Sequence, residues 1–466
     1  LTINGDVAGA GNSLTLNSTG TTNITTLATM TGLSSLTVSA GVTQIRSDIT
    51  TTGNQVYNGA VTYFGDITLT GANVQFASTV TKNATTDTLA IAVGNLNLDG
   101  AADVEALTVA EEANFADDVT AVTSITVSDK TTIENNQTVT LTSGTGGISL
   151  EEVVGTVAGG NAETLVLTAG GNGTGTTIAV TGAVSDLANL TIAQSGGATF
   201  GGAVTLSGTL TLTDTDAADD IIFNGAVTAA TLTTQNPAYD LTFNAGGTIT
   251  NDTNILSTGI LTIGNDANDS MTFTGGFDSG GTGAMNLAGT LATTNQALDI
   301  DRVTTLTANS VIDAGSAAIT LGDTINGNYT LALNSSNGVT SIDGDIGGNA
   351  AINTLTTDAG GTTSINADIT STGAQTYNDT VDIEAATRTL TSSGGAIFFD
   401  GTVDSISTTR FGLTVDAGSG LTTFDAAVGG TNAMGAIIIS GSGGLDLDAV
   451  ITSAASLAVT GASNLG

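Results

Sequence analysis

Apolar and polar positions alternate with a period of two along almost the whole chain. The plainest form is the tripeptide apolar–Thr–apolar, at residues 14–16, 36–38, 107–109, 125–127, 190–192, 210–212, 241–243, 261–263, 271–273 and 413–415. Alternation with β-branched Thr on one side predicts short strands with one face buried. Clusters of Gly, Asn, Asp and Ser separate these runs, as turns require. Helical periodicity is nearly absent, and residues 101–113 are the one stretch whose spacing invites a helical reading.

A second element is a large apolar residue, two small or polar residues, any residue, then Val or Ile. It starts at Ile3, Tyr57, Phe76, Phe115, Phe200, Phe223, Ile342, Ile365, Phe399 and Phe424. Several successive starts are similarly spaced: Tyr57 and Phe76, Phe200 and Phe223, Ile342 and Ile365, Phe399 and Phe424. A longer repeat is plainer still. Residues 43–63 (TQIRSDITTTGNQVYNGAVTY) and 363–383 (TSINADITSTGAQTYNDTVDI) share 11 of 21 positions at an offset of 320. The shared positions include Gly53, Gln55, Tyr57, Asn58 and Val61 in the first copy, and Gly373, Gln375, Tyr377, Asn378 and Val381 in the second.

Two or three short strands in each repeat of roughly 22 residues predict an all-β fold: a right-handed parallel β-helix. Residues 1–466 then form one continuous solenoid of roughly 21 coils, about 100 Å long at the ~4.8 Å strand spacing. The competing fold is a string of β-sandwich domains, which also has strands every 8–12 residues or so. Such domains bring an aromatic core, loop Pro and a period of about 100 residues. This chain has no Trp, one Pro and 4% aromatics, with the same texture from end to end. At 40% hydrophobic residues it is too apolar to stay disordered.

The charge balance narrows the partners. Asp and Glu number 43 against 6 Lys and Arg, a net charge of −37, and the six bases are scattered. Nucleic acid and anionic membrane surfaces are disfavoured, because both need clustered positive charge. No run of 18 or more apolar residues offers a membrane-spanning helix. Over ~100 Å the net charge is dense enough to gather counterions as DNA does, so diffuse Ca²⁺ or Mg²⁺ association is expected.

The element GxQxYN[GD]xV at residues 53–61 and 373–381, with the LTVxAG and xFxGxV runs, resembles repeats of large bacterial surface proteins. These are the filamentous-haemagglutinin-like and autotransporter-type β-strand-repeat adhesins. The resemblance implies a parallel β-helix, secretion across an outer membrane and a role in adhesion or surface coating. The family's N-terminal secretion module and C-terminal membrane barrel have no counterpart in this sequence, which fits a passenger fragment.

Candidate chemistry is sparse. With no His and no Cys, Ser–His and Cys–His nucleophile systems are excluded. Acidic pairs such as Asp446 with Asp448 share a strand face, as a polysaccharide lyase or hydrolase on this fold would use. Asp is the commonest charged residue, however, and no Trp offers a sugar platform, so an enzyme is not expected. For metals, the oxygen-rich turns holding Asp214, Asp216, Asp219 and Asp220, and Asp266 and Asp269, are the candidates for Ca²⁺. No other cofactor is expected. Ice binding needs regular Thr-x-Thr rows on one face, and Thr here is scattered among Asp and Asn.

The function expected is therefore a non-catalytic rod or fibre, extracellular, at a bacterial cell surface. Its partner is itself, by end-to-end or lateral contacts, or a ligand on a host or neighbouring cell. The apolar ends, LTING and SLAVTGASNLG, lack a polar cap, which suggests stacking or a longer chain. The alternatives are a Ca²⁺-bridged S-layer-like lattice and a glycan- or protein-binding module. For the module, Tyr57, Tyr63 and Phe64 are the nearest aromatic patch.

Overall fold

The computed structural model describes residues 1–134, 136–156, 162–170, 176–213, 220–236, 238–406, 408–452 and 455–465. Among them there are only strands and turns, and every strand pairing is parallel. The chain is a β-solenoid of about 21 turns. It divides into two compact units, Leu1–Tyr239 and Asp240–Gly466. Residues 101–113 are strands too, Ala102–Val104, Leu107–Val109 and Ala113–Phe115. Their apolar residues follow the corner spacing of a coil, not a helical face.

In the first unit each coil has three sides. One coil is Thr21–Ile24, Met30–Leu33 and Ser35–Ser39; the next is Val42–Ile45, Ile49–Thr51 and Gln55–Tyr57. Each strand pairs with its counterpart in the following coil, so the first side is a twelve-stranded sheet from Thr2–Ile3 to Thr231–Thr234. The second unit repeats the scheme, with an eight-stranded sheet from Thr253–Asn254 to Val403–Ser405 as one side. The step per coil varies more than the sequence spacing implied. It is as short as the step from Ala102 to its partner Val119, and as long as that from Val153 to its partner Val184. Strand pairing fixes only the positions within the sides; corners absorb the difference.

The ten five-residue elements are those corners. In nine of them the first and fifth residues are both buried, the exception being the terminal coil at Ile3. The first residue ends one strand's inward set, and the fifth begins the next. One pattern builds every corner: third side to first at Tyr57–Val61, second to third at Phe200–Val204, first to second at Ile342–Ile346. Some corners are taken without breaking the strand, as in Leu89–Leu98. There Gly94 turns with φ +88°, and a Cβ would strike the Gly71 and Ala72 carbonyl oxygens of the preceding coil.

Inside, like stacks on like. The inward positions form columns of Leu, Ile and Val, each side chain contributing about 1.5–3 kcal/mol on full burial. Aromatic residues meet as offset stacks one coil apart: Tyr57 on Phe76 at 5.2 Å between centroids, and Phe200 on Phe223 at 5.0 Å. In the second unit Tyr377, Phe399 and Phe424 continue such a stack, at 5.1 and 4.7 Å.

The long repeat now has a physical reason. Gln55 and Gln375 are fully buried, each in an aliphatic column, between Leu36 and Val74 and between Leu355 and Ile397. Each amide oxygen accepts the hydroxyl of the tyrosine two residues on, Tyr57 at 2.9 Å and Tyr377 at 2.8 Å. The Gln55 amide nitrogen donates to the carbonyls of Ile49 and Thr70, and that of Gln375 to Ser371 Oγ and the Thr391 carbonyl. Burial holds both phenols far above their ordinary range, so each remains a neutral donor. Val61 and Val381 are the first inward residues of the next strand, and Asn58 and Asn378 bond to Ser39 Oγ and the Thr357 carbonyl in the coil before.

A buried amide left without its partner is destabilising. Tyr377→Phe is therefore expected to lower the unfolding free energy by about 1–3 kcal/mol, with Gln375→Leu added in the double variant recovering much of the loss. Denaturant titration of the single and double variants measures both.

Candidate functional site

The Gln, Tyr and Val side chains of the repeat motif are buried, which leaves the outward surface as the place to look for function. Its dominant chemistry is carboxylate, and much of that carboxylate has a structural task. At corners the backbone N–H of one coil often lacks a carbonyl beneath it. An Asp one coil earlier supplies the acceptor. Asp48 Oδ1 accepts the Thr68 N–H at 2.7 Å, Asp118 that of Thr140 at 2.7 Å, and Asp240 that of Ile260 at 2.6 Å. Asp345 holds Asp368 at 3.0 Å, and Asp368 in turn holds Thr389 at 2.9 Å. Each bond spans one coil. Hydrogen bonds to a charged acceptor stabilise by about 1.5–3 kcal/mol each.

The calcium candidates take a similar part. Asp269 Oδ2 accepts the N–H groups of Asn265 and Asp266, and Asp266 Oδ1 that of Asn268, which closes their own turn. Asp220 is exposed at the start of the strand Asp220–Phe223. Asp214, Asp216 and Asp219 lie outside the described residues. Among the described residues no three carboxylates converge as a metal-ion site. The aromatic patch does not form: Tyr57 and Tyr63 are buried, and the Phe64 ring lies under the Arg46 guanidinium at 3.3 Å.

In the second unit other carboxylates stand over one another. Asp278 pairs in register with Asp299, and Asp382 with Asp404. Asp400, Asp425 and Asp448 each follow the last residue of in-register strands, one coil apart. Like charges directly opposite on a sheet repel. Desolvation, then Asp278, Asp299, Asp323 and Asp343, pushes Asp301 above the usual carboxylate range. Burial, then Asp404 and Glu384, does the same to Asp382. Near Asp278 and Asp299, a groove of about 280 Å³ is lined by these two with Asp252, Gln296 and Phe277.

The bases are placed individually. Lys82 pairs with Asp103, and Lys130 with Glu112 at 3.0 Å, each across one coil. Arg302 is the largest fully buried side chain. Its guanidinium donates to the carbonyls of Ser279 (2.6 Å), Gly259 (2.9 Å), Ser257 (2.6 Å) and Ile255 (3.1 Å). It thereby ties together three successive coils. Nothing in its flanking sequence marks it, since its partners are backbone atoms of the two preceding coils.

No family model, curated protein or solved structure matches this chain. The assignment of function rests on the geometry.

A folded-state carboxylate raised above its unfolded value takes up a proton more readily folded than unfolded. Its penalty is therefore present at neutral pH, and stability rises as pH falls from 7 toward the unfolded value of about 4. Asp382→Asn is expected to raise the melting temperature at pH 7.5 and to change it little near pH 4. Calorimetry at both pH values, in low salt, checks the sign.

Proposed function

We propose that the chain is a non-catalytic structural or adhesive segment of an extracellular bacterial surface protein. The observation that carries this reading is the destination of the repeat motif. Gln55, Tyr57, Gln375 and Tyr377, the most distinctive shared positions, lie wholly within the core. The repeat thus propagates a scaffold, and among its shared outward positions Asp48 and Asp368 bond to the next coil. A catalytic repeat would instead project its shared residues into a cleft. The resemblance to adhesin repeats agrees with this division, and a parallel solenoid suits long display because each coil needs only its neighbours.

Surface placement is tested by immunogold labelling of intact source cells. Label outside the envelope supports the proposal, and label reached only after lysis removes it. Adhesion is tested by displaying the chain on a non-adherent host and counting attached cells.

The stacked carboxylates favour a second reading, a lattice subunit bridged by divalent cations. In register, Asp278 over Asp299 and Asp382 over Asp404 repel unless screened. Millimolar Ca²⁺ is expected to raise the melting temperature relative to EDTA at matched ionic strength. If the neighbouring copies are bridged as well, sheets appear by negative-stain microscopy in Ca²⁺ and disperse in EDTA. Particles that stay dispersed in Ca²⁺ remove the lattice reading and leave the surface assignment standing.

A further inference from the structure

Pairing brings together threonines that the sequence scatters. On the first side of the first unit, five successive strands are Thr138–Ser143 (TVTLTS), Thr164–Ala169 (TLVLTA), Asn189–Gln194 (NLTIAQ), Thr209–Leu212 (TLTL) and Thr231–Thr234 (TLTT). Their Leu, Val139 and Ile192 side chains point inward and are buried. Outward, Thr140, Val166, Thr191, Thr211 and Thr233 stand in one in-register column. A second column two residues earlier begins Thr138, Thr164, Asn189 and ends with Thr209 over Thr231. A third, shorter one runs Thr120, Thr142, Thr168. Against the expectation from the sequence, Thr does form columns on this face, though Val166 and Asn189 each interrupt one. The steps from Thr140 to Val166, Thr191, Thr211 and Thr233 are unequal, so no fixed period reveals the rows in the sequence.

The same face has a second property. None of the five strands carries a charged residue, in a chain with a net charge of −37. A Thr carries a hydroxyl, one donor and two acceptor sites, beside a methyl group, and that of Thr164 already accepts the Asn189 side-chain amide at 3.0 Å. The β-branched χ1 of Thr is restricted, so less rotamer freedom is lost when a ligand binds. The rows repeat at ~4.8 Å between coils and ~6.7 Å along each strand. The partner that matches is uncharged, rigid and periodic, with hydrogen-bond donors and acceptors at comparable spacing. Within these strands a charged ligand finds no counter-charge, and the nearby Asp118 carboxylate is engaged by the Thr140 N–H. Ordered water does match: methyl groups seat between lattice oxygens while hydroxyls replace lattice hydrogen bonds.

We infer that this threonine face of the first unit binds ice. The inference stands apart from the surface assignment, since it rests on this face alone. The test uses the purified full chain in an ice-recrystallisation assay and a nanolitre measurement of the gap between melting and growth temperatures. The wild-type chain restrains ice growth. Thr191→Tyr and Thr211→Tyr, at the centre of the array, abolish the effect by lifting the lattice off the face. Thr126→Tyr, outward on the second side, leaves it intact. Circular dichroism confirms that each variant is folded, and Thr233→Tyr at the exposed edge serves if a central variant is not. A wild-type chain that leaves ice growth unchanged overturns the inference, and so does a folded Thr211→Tyr that retains activity. Binding to an uncharged polysaccharide surface without any effect on ice also overturns it.

Discussion

In these coils every residue of a side lies over its counterpart one turn earlier, at the ~4.8 Å spacing of parallel strands. That constraint sets the sign of nearly every other interaction. Stacking like on like is favourable for aliphatic and aromatic side chains, and gives the Tyr377–Phe399–Phe424 column. For amides and hydroxyls it is favourable where donors and acceptors alternate, as Asn114 and Asn97 do at 2.6 Å. For carboxylates it is unfavourable: at Asp301 and Asp382 neighbouring carboxylates add to the desolvation that raises them.

The chain handles its acidity in three ways that follow from this geometry. Some carboxylates move to corners, where Asp48, Asp118 and Asp368 accept an amide from the next coil and replace a missing backbone bond. A few find a cation one coil away, as Asp103 and Glu112 do. Others are stacked in register in the second unit, as Asp278 over Asp299 and Asp382 over Asp404, where they repel. Asp is therefore both mortar and burden, and its role at each position depends on what lies one turn below.

Much of the fold was legible because its signals are local. Strand alternation needs neighbours two apart, and a corner needs residues four apart, so both could be read without knowing the coil length. The Gln–Tyr pair was legible as a repeat, because both copies keep the same spacing; its hydrogen bonds explain why those residue types recur. The outward chemistry was less legible. Asp266 and Asp269 suggested a calcium turn, whereas their oxygens close the turn on its own amides. The corner Asp bonds, the threonine columns and the Arg302 contacts all join residues about one or two coils apart. Coil length differs widely between the Ala102–Val119 and Val153–Val184 steps, so such partners have no constant sequence separation.

Arg302 has a consequence for how the second unit comes apart. A solenoid in which each turn touches only its neighbours can fray turn by turn, with opening free energies graded along its length. The guanidinium gathers carbonyls from the turns at residues 255–259 and 279 into the turn that begins at 298. Those turns cannot open singly without exposing a charge and several acceptors to a dry interior. They must melt as a block, so the unit carries an internal rivet at which unravelling stalls.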